Sequence, residues 1–300
     1  MTRAFAFLVN PTSGGGAAPK AVVPVARLLR DAGAEVEVTY SPGPKATLQL
    51  VRDAVARGEV VVSVGGDGML CSVAGEVADR GGTLGIVPAG RGNDFARMLG
   101  LPDDAEESAK VLLDAEARPV DLLEVTLPDR TTRVVAGSVY AGVDAHAAAM
   151  VDRMRWTPRK LQYPIAAVRA LAAFRPITGT VTVDGVAHRV RAATVVTANS
   201  AYYGSGMKIA PSAVVDDGEL DVVIIAAAGK ADLIRSLPKV YDGSHAALDE
   251  VTLLRGRDVT LEVEGRDVPL GGDGEPLGAL TADTTCRIRL RRAALPVLRP

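Results

Sequence analysis

Cysteine, histidine and aromatic residues are scarce in this chain: two Cys, three His, one Trp, and 4% aromatic residues among 300. Cys71 and Cys286 lie far apart and give no metal-binding spacing, so both read as reduced thiols of a cytosolic protein. His146, His188 and His245 are scattered and form no ligand set. Long apolar runs are missing too, since none approaches the roughly 20 residues that span a bilayer. The opening run, residues 5–9, is too short for a signal-peptide core and meets Asn10-Pro11 instead of a cleavage site. Charge of one sign is also lacking: 34 basic against 36 acidic residues leave a net −2. No global field therefore recruits nucleic acid or anionic lipid, and any electrostatic recruitment is local. The reading is a soluble cytoplasmic protein with no nucleic-acid partner.

What is present is an apolar, glycine-rich globular composition, 48% hydrophobic with 31 Gly, in a chain long enough for two domains. Residues 1–127 alternate strand and helix patterns: strands near 5–9, 35–40, 60–64 and 83–87, and helices near 20–32, 46–57, after Gly68, and near 94–99. In the first helix Val22, Val25, Ala26, Leu28 and Leu29 recur at three- and four-residue spacing, and Gly33 stands at its C-terminal end. This is βαβ repetition, which predicts an α/β domain with a parallel sheet. Residues 128–300 read differently, as short alternating strands near 132–140, 178–183, 189–197, 220–225, 259–263 and 287–290. Asp184-Gly185 marks a type I′ hairpin, and helices interrupt only near 161–174 and 230–237. The second domain is expected to be β-rich, its last strand open to packing back on the first domain, with the ligand site in the cleft between the two.

Two glycine turns each close a buried strand. Gly65-Gly66-Asp67-Gly68 follows Val60–Val64 in sequence, and Pro88-Ala89-Gly90-Arg91-Gly92-Asn93-Asp94 follows Leu84-Gly85-Ile86-Val87. Strand, glycine turn and helix bring backbone N–H groups to a phosphate, and a carboxylate in each turn points to Mg²⁺ chemistry. Asp67 reads as a metal ligand or general base, or as the Asx bond of a tight turn. Asp94 is a candidate cap of the next helix, a role compatible with a functional one. Arg91 either offsets phosphate charge or is solvated. Asn10-Pro11-Thr12-Ser13-Gly14, closing the first strand, reads as a nucleotide-facing loop or as an ordinary capped βα turn.

The order NPTSGGG, GGDG and GIVPAGRGNDFARMLGLP resembles the diacylglycerol kinase catalytic-domain family, which includes soluble bacterial lipid kinases and the sphingosine and ceramide kinases. The resemblance continues through Pro119-Val120-Asp121, Tyr140-Ala141-Gly142-Val143-Asp144-Ala145, Ala210-Pro211-Ser212-Ala213 and Asp216-Asp217-Gly218-Glu219-Leu220, and ends at Gly272-Asp273-Gly274-Glu275-Pro276. It implies an NAD-kinase/diacylglycerol-kinase-like α/β domain followed by an antiparallel β-sandwich-like domain. It implies ATP and Mg²⁺ as cofactors and a lipid hydroxyl, most often that of diacylglycerol, as phosphate acceptor. Asp67, Asp94 and Asp121 would belong to a Mg²⁺–water–nucleotide network. The catalytic residues would be Asp67, Asp121 and Glu275, with Glu275 and Asp67 rivals for the general base. Asn10, Pro11, Thr12, Ser13, Gly65, Gly66, Gly68, Gly90, Arg91, Gly92 and Asn93 would hold the nucleotide. Asp217 resembles a ligand of a structural Mg²⁺, with a plain hairpin turn as the alternative.

The chain departs from the family where a Thr and an Asn-Glu pair usually follow GGDG: Met69, Cys71 and Ser72 stand there. The usual Thr-Gly-Thr/Ser is Ala89-Gly90-Arg91, where Arg91 is a candidate to supply the phosphate contact that Met69 cannot. The second GGDG, Gly271–Gly274 in sequence, reads as a β-turn, leaving Glu275 and Asp273 as candidates there. Arg153, Arg155, Trp156, Arg159 and Lys160 precede an apolar helical stretch, a pattern of peripheral docking on the inner face of a membrane or of a core helix with a solvated basic flank. A homodimer is compatible with all of this. The competing readings are an NAD kinase-like enzyme and a non-catalytic nucleotide- or lipid-binding module.

Overall fold

Three short apolar runs and one alternating run, each followed by a glycine or proline turn, become parallel strands: β1 (Ala4–Val9), β3 (Val60–Gly65) and β4 (Leu84–Pro88), and the alternating β2 (Glu35–Tyr40). The structure is a computed structural model and describes residues 3–142, 165 and 175–300. The strands lie in the order β4-β3-β1-β2, with Val9 level with Val64 and Val64 level with Val87. β1, β3 and β4 are buried along almost their whole length, as strands covered on both faces must be, while edge strand β2 alternates. Helices α1 (Ala18–Asp31), α2 (Pro44–Ala56) and α3 (Asp67–Asp79) connect them. Val22, Val25, Ala26 and Leu29 of α1 pack on Phe5, Phe7, Val62 and Val64, and left-handed Gly33 (φ 84°) ends the helix. A short α4 (Asp94–Met98) follows β4, and then comes α5 (Ala105–Asp114). The Asp104 carboxylate caps α5 by accepting the Glu106 and Glu107 N–H groups.

β5 (Ala117–Thr126) leads into the second unit, where the strands are β6 (Thr132–Val135), β7 (Ser138–Gly142), β8 (Ile177–Val183), β9 (Val186–Ala198), β10 (Leu220–Ala226), β11 (Val251–Gly256), β12 (Asp258–Val263), β13 (Val268–Gly272), β14 (Glu275–Leu280) and β15 (Thr285–Leu298). Pairing runs β14-β13-β7-β9-β8-β12-β15, with β10 also on β9 and β11 on β10, and these pairs are antiparallel. Asp184 and Gly185 both take positive φ, 47° and 85°, as the predicted hairpin requires. One face of the unit buries Val139, Val181, Val195, Val222, Leu261 and Ile288. The other buries Tyr140, Val196, Ile209 and Val223, with Val240 of α6 (Lys230–Asp242).

The chain forms two units, Met1–Leu122 with Arg292–Pro300 and Leu123–Arg291, so the divisions fall inside β5 and β15. The C-terminal end of β15 runs parallel to β4, Val297 opposite Leu84, as a fifth strand of the first unit. The single strand expected over 132–140 is two, β6 and β7, because Ala136-Gly137 turns its N–H groups to a distant carboxylate. The helix expected over 161–174, the basic cluster Arg153, Arg155, Trp156, Arg159 and Lys160, and Val143-Asp144-Ala145 lie outside the described residues, Ile165 excepted. Among the described residues no helix is long and apolar enough to cross a membrane.

Candidate active site

Three loops leave the carboxyl ends of β1, β3 and β4, which is where an open parallel sheet presents its ligands. The register makes them neighbours: Asn10 N–H donates to Val64 O (3.0 Å) and Ala89 N–H to Gly65 O (2.8 Å). In the first loop, Asn10 Oδ1 accepts both the N–H and the hydroxyl of Thr12 (3.1 and 2.9 Å). Pro11 and Thr12 are exposed, and Ser13 Oγ reaches across to Ala89 O (3.3 Å).

The glycines of the other two loops meet backbone to backbone. A Cβ added at Gly90 would stand 2.3 Å from Gly66 Cα, and one at Gly66 would stand 3.0 Å from Gly90 Cα. Only residues without side chains permit this approach. Gly90 N–H is held by Asn93 Oδ1 (2.8 Å), and Asn93 itself sits in the left-handed region with φ 53°. Gly65 faces the side chain of Met69, whose Cβ and Sδ lie 3.3 Å from the position of an added Cβ. Ser72 turns its hydroxyl back to Gly68 O (3.1 Å), so the residue that departs from the family pattern serves its own helix.

The two loop carboxylates are arranged alike. Asp67, in the first turn of α3, accepts the Phe95 N–H at Oδ1 (3.3 Å); Asp94, in the first turn of α4, takes Arg97 Nη1 at Oδ1 (2.6 Å). Each then presents Oδ2 to the same glycine: a Cβ at Gly92 would lie 3.0 Å from Asp67 Oδ2 and 3.1 Å from Asp94 Oδ2. Asp94 is buried and Arg91, beside it in the chain, is exposed. Mg²⁺ is held by one or two carboxylates together with waters and phosphate oxygens. Two carboxylate oxygens converging beside a glycine cradle fit that ion.

The remaining expected residues lie on β5, before β10 and on β14. Asp121 is buried in β5, and its Oδ1 accepts the Ala293 N–H (2.6 Å). Among the described residues no three His, Cys, Asp or Glu side chains converge on a metal position, so Asp121 does not complete a cluster with Asp67 and Asp94. Asp217 lies in the turn before β10, where its Oδ1 accepts Glu219 N–H (3.0 Å) and its carboxylate pairs with Arg255. The same guanidinium reaches Glu219 (3.1 Å) and the buried Asp221 (3.7 Å). Burial pushes the Asp221 carboxyl up, against the pull of the Ser212 hydroxyl and Arg255. These contacts describe an arginine-neutralised turn. Glu275 opens β14 in the second unit and is exposed.

Two features escape a reading of sequence. The Asp94–Arg97 pair was legible only as three-residue spacing on a helix. Asp273 binds the backbone of residues 136–138, a contact between segments so far apart that no local signal marks it.

Two family models match this chain. The diacylglycerol kinase catalytic domain family matches residues 4–125, and the YegS C-terminal NAD kinase beta sandwich-like domain family matches residues 137–298. A diacylglycerol kinase of Mycobacterium tuberculosis is 33% identical over 297 residues, covering 98% of this chain and 94% of that protein. A YegS-like lipid kinase of Stenotrophomonas maltophilia is 29% identical, covering 87% of each. Among solved structures, a diacylglycerol kinase from Bacillus anthracis superposes with a TM-score of 0.73 at 18% identity, covering 99% of this chain and 97% of the other. Yeast NADH kinase, complexed with NADH, superposes with 0.55 at 11% identity, covering 99% and 82%. Both structural likenesses are of fold.

Proposed function

This chain belongs to the family of diacylglycerol kinases and YegS-like lipid kinases, and from that premise we propose that it transfers the γ-phosphate of ATP to a lipid hydroxyl, with diacylglycerol as acceptor and phosphatidate as product. The observation that carries the reading is the pair of Oδ2 atoms, from Asp67 and Asp94, turned to Gly92 where two glycine loops touch. Phosphoryl transfer asks little covalent chemistry of a protein; it asks for positioning and for charge to offset the phosphates.

Each part of the site has a use in that scheme. The glycine loops let backbone approach the phosphates as closely as it approaches itself at Gly66 and Gly90. Asp67 and Asp94 would hold Mg²⁺, which supplies positive charge to the phosphate oxygens when bound. Arg91 adds a second cation on the same loop. Asp67 shares Gly92 with a second carboxylate, as a metal ligand would, which leaves Glu275 as the general base of this scheme. Arg153, Arg155 and Trp156 would seat the protein on an anionic membrane surface, where the acceptor resides. Vesicle co-sedimentation tests that seat: the double variant Arg155→Ala, Trp156→Ala should bind anionic vesicles less well, and equal binding would exclude it.

The reaction is tested by incubating the protein with Mg²⁺, γ-labelled ATP and mixed micelles carrying a panel of lipid alcohols, with NAD as a separate acceptor. Label in one organic-extractable lipid names the acceptor and supports the proposal. Label in NAD replaces it with an NAD kinase-like activity, and no label in either leaves a binding module.

A further inference from the structure

The turn that carries Glu275 is fastened to a distant turn by one carboxylate. Asp273 accepts three successive N–H groups: Ala136 at Oδ2 (2.9 Å), Gly137 at Oδ2 (2.9 Å) and Oδ1 (3.1 Å), and Ser138 at Oδ1 (2.7 Å). The contact is returned by the Asp273 N–H, which donates to Ser138 O (3.1 Å). Asp273 and Gly274 take positive φ, 46° and 86°, the type I′ hairpin geometry that Asp-Gly favours, so the turn presents the Asp273 carboxylate from a defined backbone. Gly137 makes the approach feasible, since a Cβ there would stand 2.7 Å from Asp273 Oδ1.

The neighbours of this contact are fixed as well. Asn199 donates its side-chain amide to Ala136 O (3.0 Å) and its N–H to Gly137 O (2.7 Å). On the other side Gly274 N–H donates to the Tyr140 hydroxyl (3.1 Å), and that ring lies so close to Gly271 that a Cβ there would meet it at 2.3 Å. Glu275 begins β14 directly after, paired with Gly272 of β13. A carboxylate accepting several backbone N–H groups is a charge-assisted contact, stronger and more directional than a neutral one. An exposed glutamate two residues from such an anchor has its Cα set by it.

We propose that Asp273 is a positioning residue for phosphoryl transfer: by clamping residues 136–138 it fixes the backbone from which Glu275 works. This rests on the reading of Glu275 as general base. Misplacing a reacting group by about an ångström lowers rate by up to about 100-fold, so the clamp has a measurable effect.

Two measurements on the full chain test it. Asp273→Asn keeps the size but turns amide hydrogens toward backbone donors, so hydrogen exchange at residues 136–138 should accelerate. In steady state kcat for lipid phosphorylation should fall about 10–100-fold with the ATP KM within about twofold of wild type. In a Glu275→Gln background, Asp273→Asn should lower kcat by less than about twofold more, because it acts through the group already removed. Tyr140→Phe, which deletes only the hydroxyl that receives Gly274 N–H, should lower kcat about 2–10-fold, and it serves if Asp273→Asn does not fold. Unchanged exchange at 136–138, or an equal loss in the Glu275→Gln background, would overturn the role of Asp273 while the wild type still phosphorylates lipid. A wild type that phosphorylates no lipid would instead overturn the reading of the reaction on which this role depends.

Discussion

At the scale of single residues, the site depends on how carboxylates and glycines divide their contacts. Asp67 and Asp94 each give Oδ1 to the protein, to Phe95 N–H and Arg97, and turn Oδ2 to Gly92. Gly90 has no room for even a methyl group, because its neighbour is the Gly66 backbone, which cannot step aside as a flexible side chain would. Gly90→Ala should therefore part the two loops and lower kcat/KM for ATP about 100-fold in a steady-state assay. The cysteines give a second test at this scale. Cys286 is fully buried and its thiol is pushed up to about 12 by burial, so almost no thiolate forms at neutral pH. Cys71, on α3, is only half-buried. Iodoacetamide followed by mass spectrometry should modify Cys71 in the native protein and leave Cys286 intact until denaturant is added.

At the scale of elements, legibility follows from how local the forces are. β3 and β4 announce themselves as unbroken apolar runs closed by glycine or proline, and α1 by its one apolar face. For the same reason Asp67 and Asp94 stand out, since each closes such a strand. β13 does not: Val268-Pro269-Leu270-Gly271-Gly272 carries Pro and Gly, which read as a turn, yet Pro269 pairs β14 at the end of β13 that β7 does not reach. β11 is equally hidden, because as an edge strand it leaves Thr252 and Leu253 exposed and loses the alternation. The split of β6 from β7 is invisible because its cause, Asp273, lies 137 residues from Ala136.

The turn before β10 yields a pH prediction. Burial raises the Asp221 carboxyl above its unfolded value of about 3.9, so ionising it costs the fold stability. Its contribution is fully present below about pH 3.9 and is lost as pH rises through the folded-state value. Asp221→Asn keeps an oxygen for the Ser212 hydroxyl and removes that cost, while Arg255 keeps Asp217 and Glu219. Urea unfolding should give the variant a higher midpoint than wild type at pH 7, with the gap closing toward pH 4.

At the scale of the whole molecule, the chain is not two consecutive blocks. Residues 292–300 return to the first unit, burying Leu295, Val297 and Leu298 and covering the edge of β4 opposite Leu84. A parallel pairing across so much sequence leaves no local mark, so the sequence could do no more than hold this return open. Each of those side chains contributes about 1.5–3 kcal/mol by burial. Removing residues 292–300 should lower the thermal midpoint of the first unit markedly in calorimetry, and an unchanged midpoint would show that the strand end adds nothing.

Paired carboxylates at Gly92 that serve phosphoryl transfer to a lipid must be needed for its rate. The most direct test is the rate at which label moves from γ-labelled ATP to diacylglycerol in mixed micelles, compared between wild type and Asp67→Asn. The wild type should transfer label, and Asp67→Asn should do so about 100-fold or more slowly with its thermal midpoint retained. Equal rates in the two proteins would contradict this role.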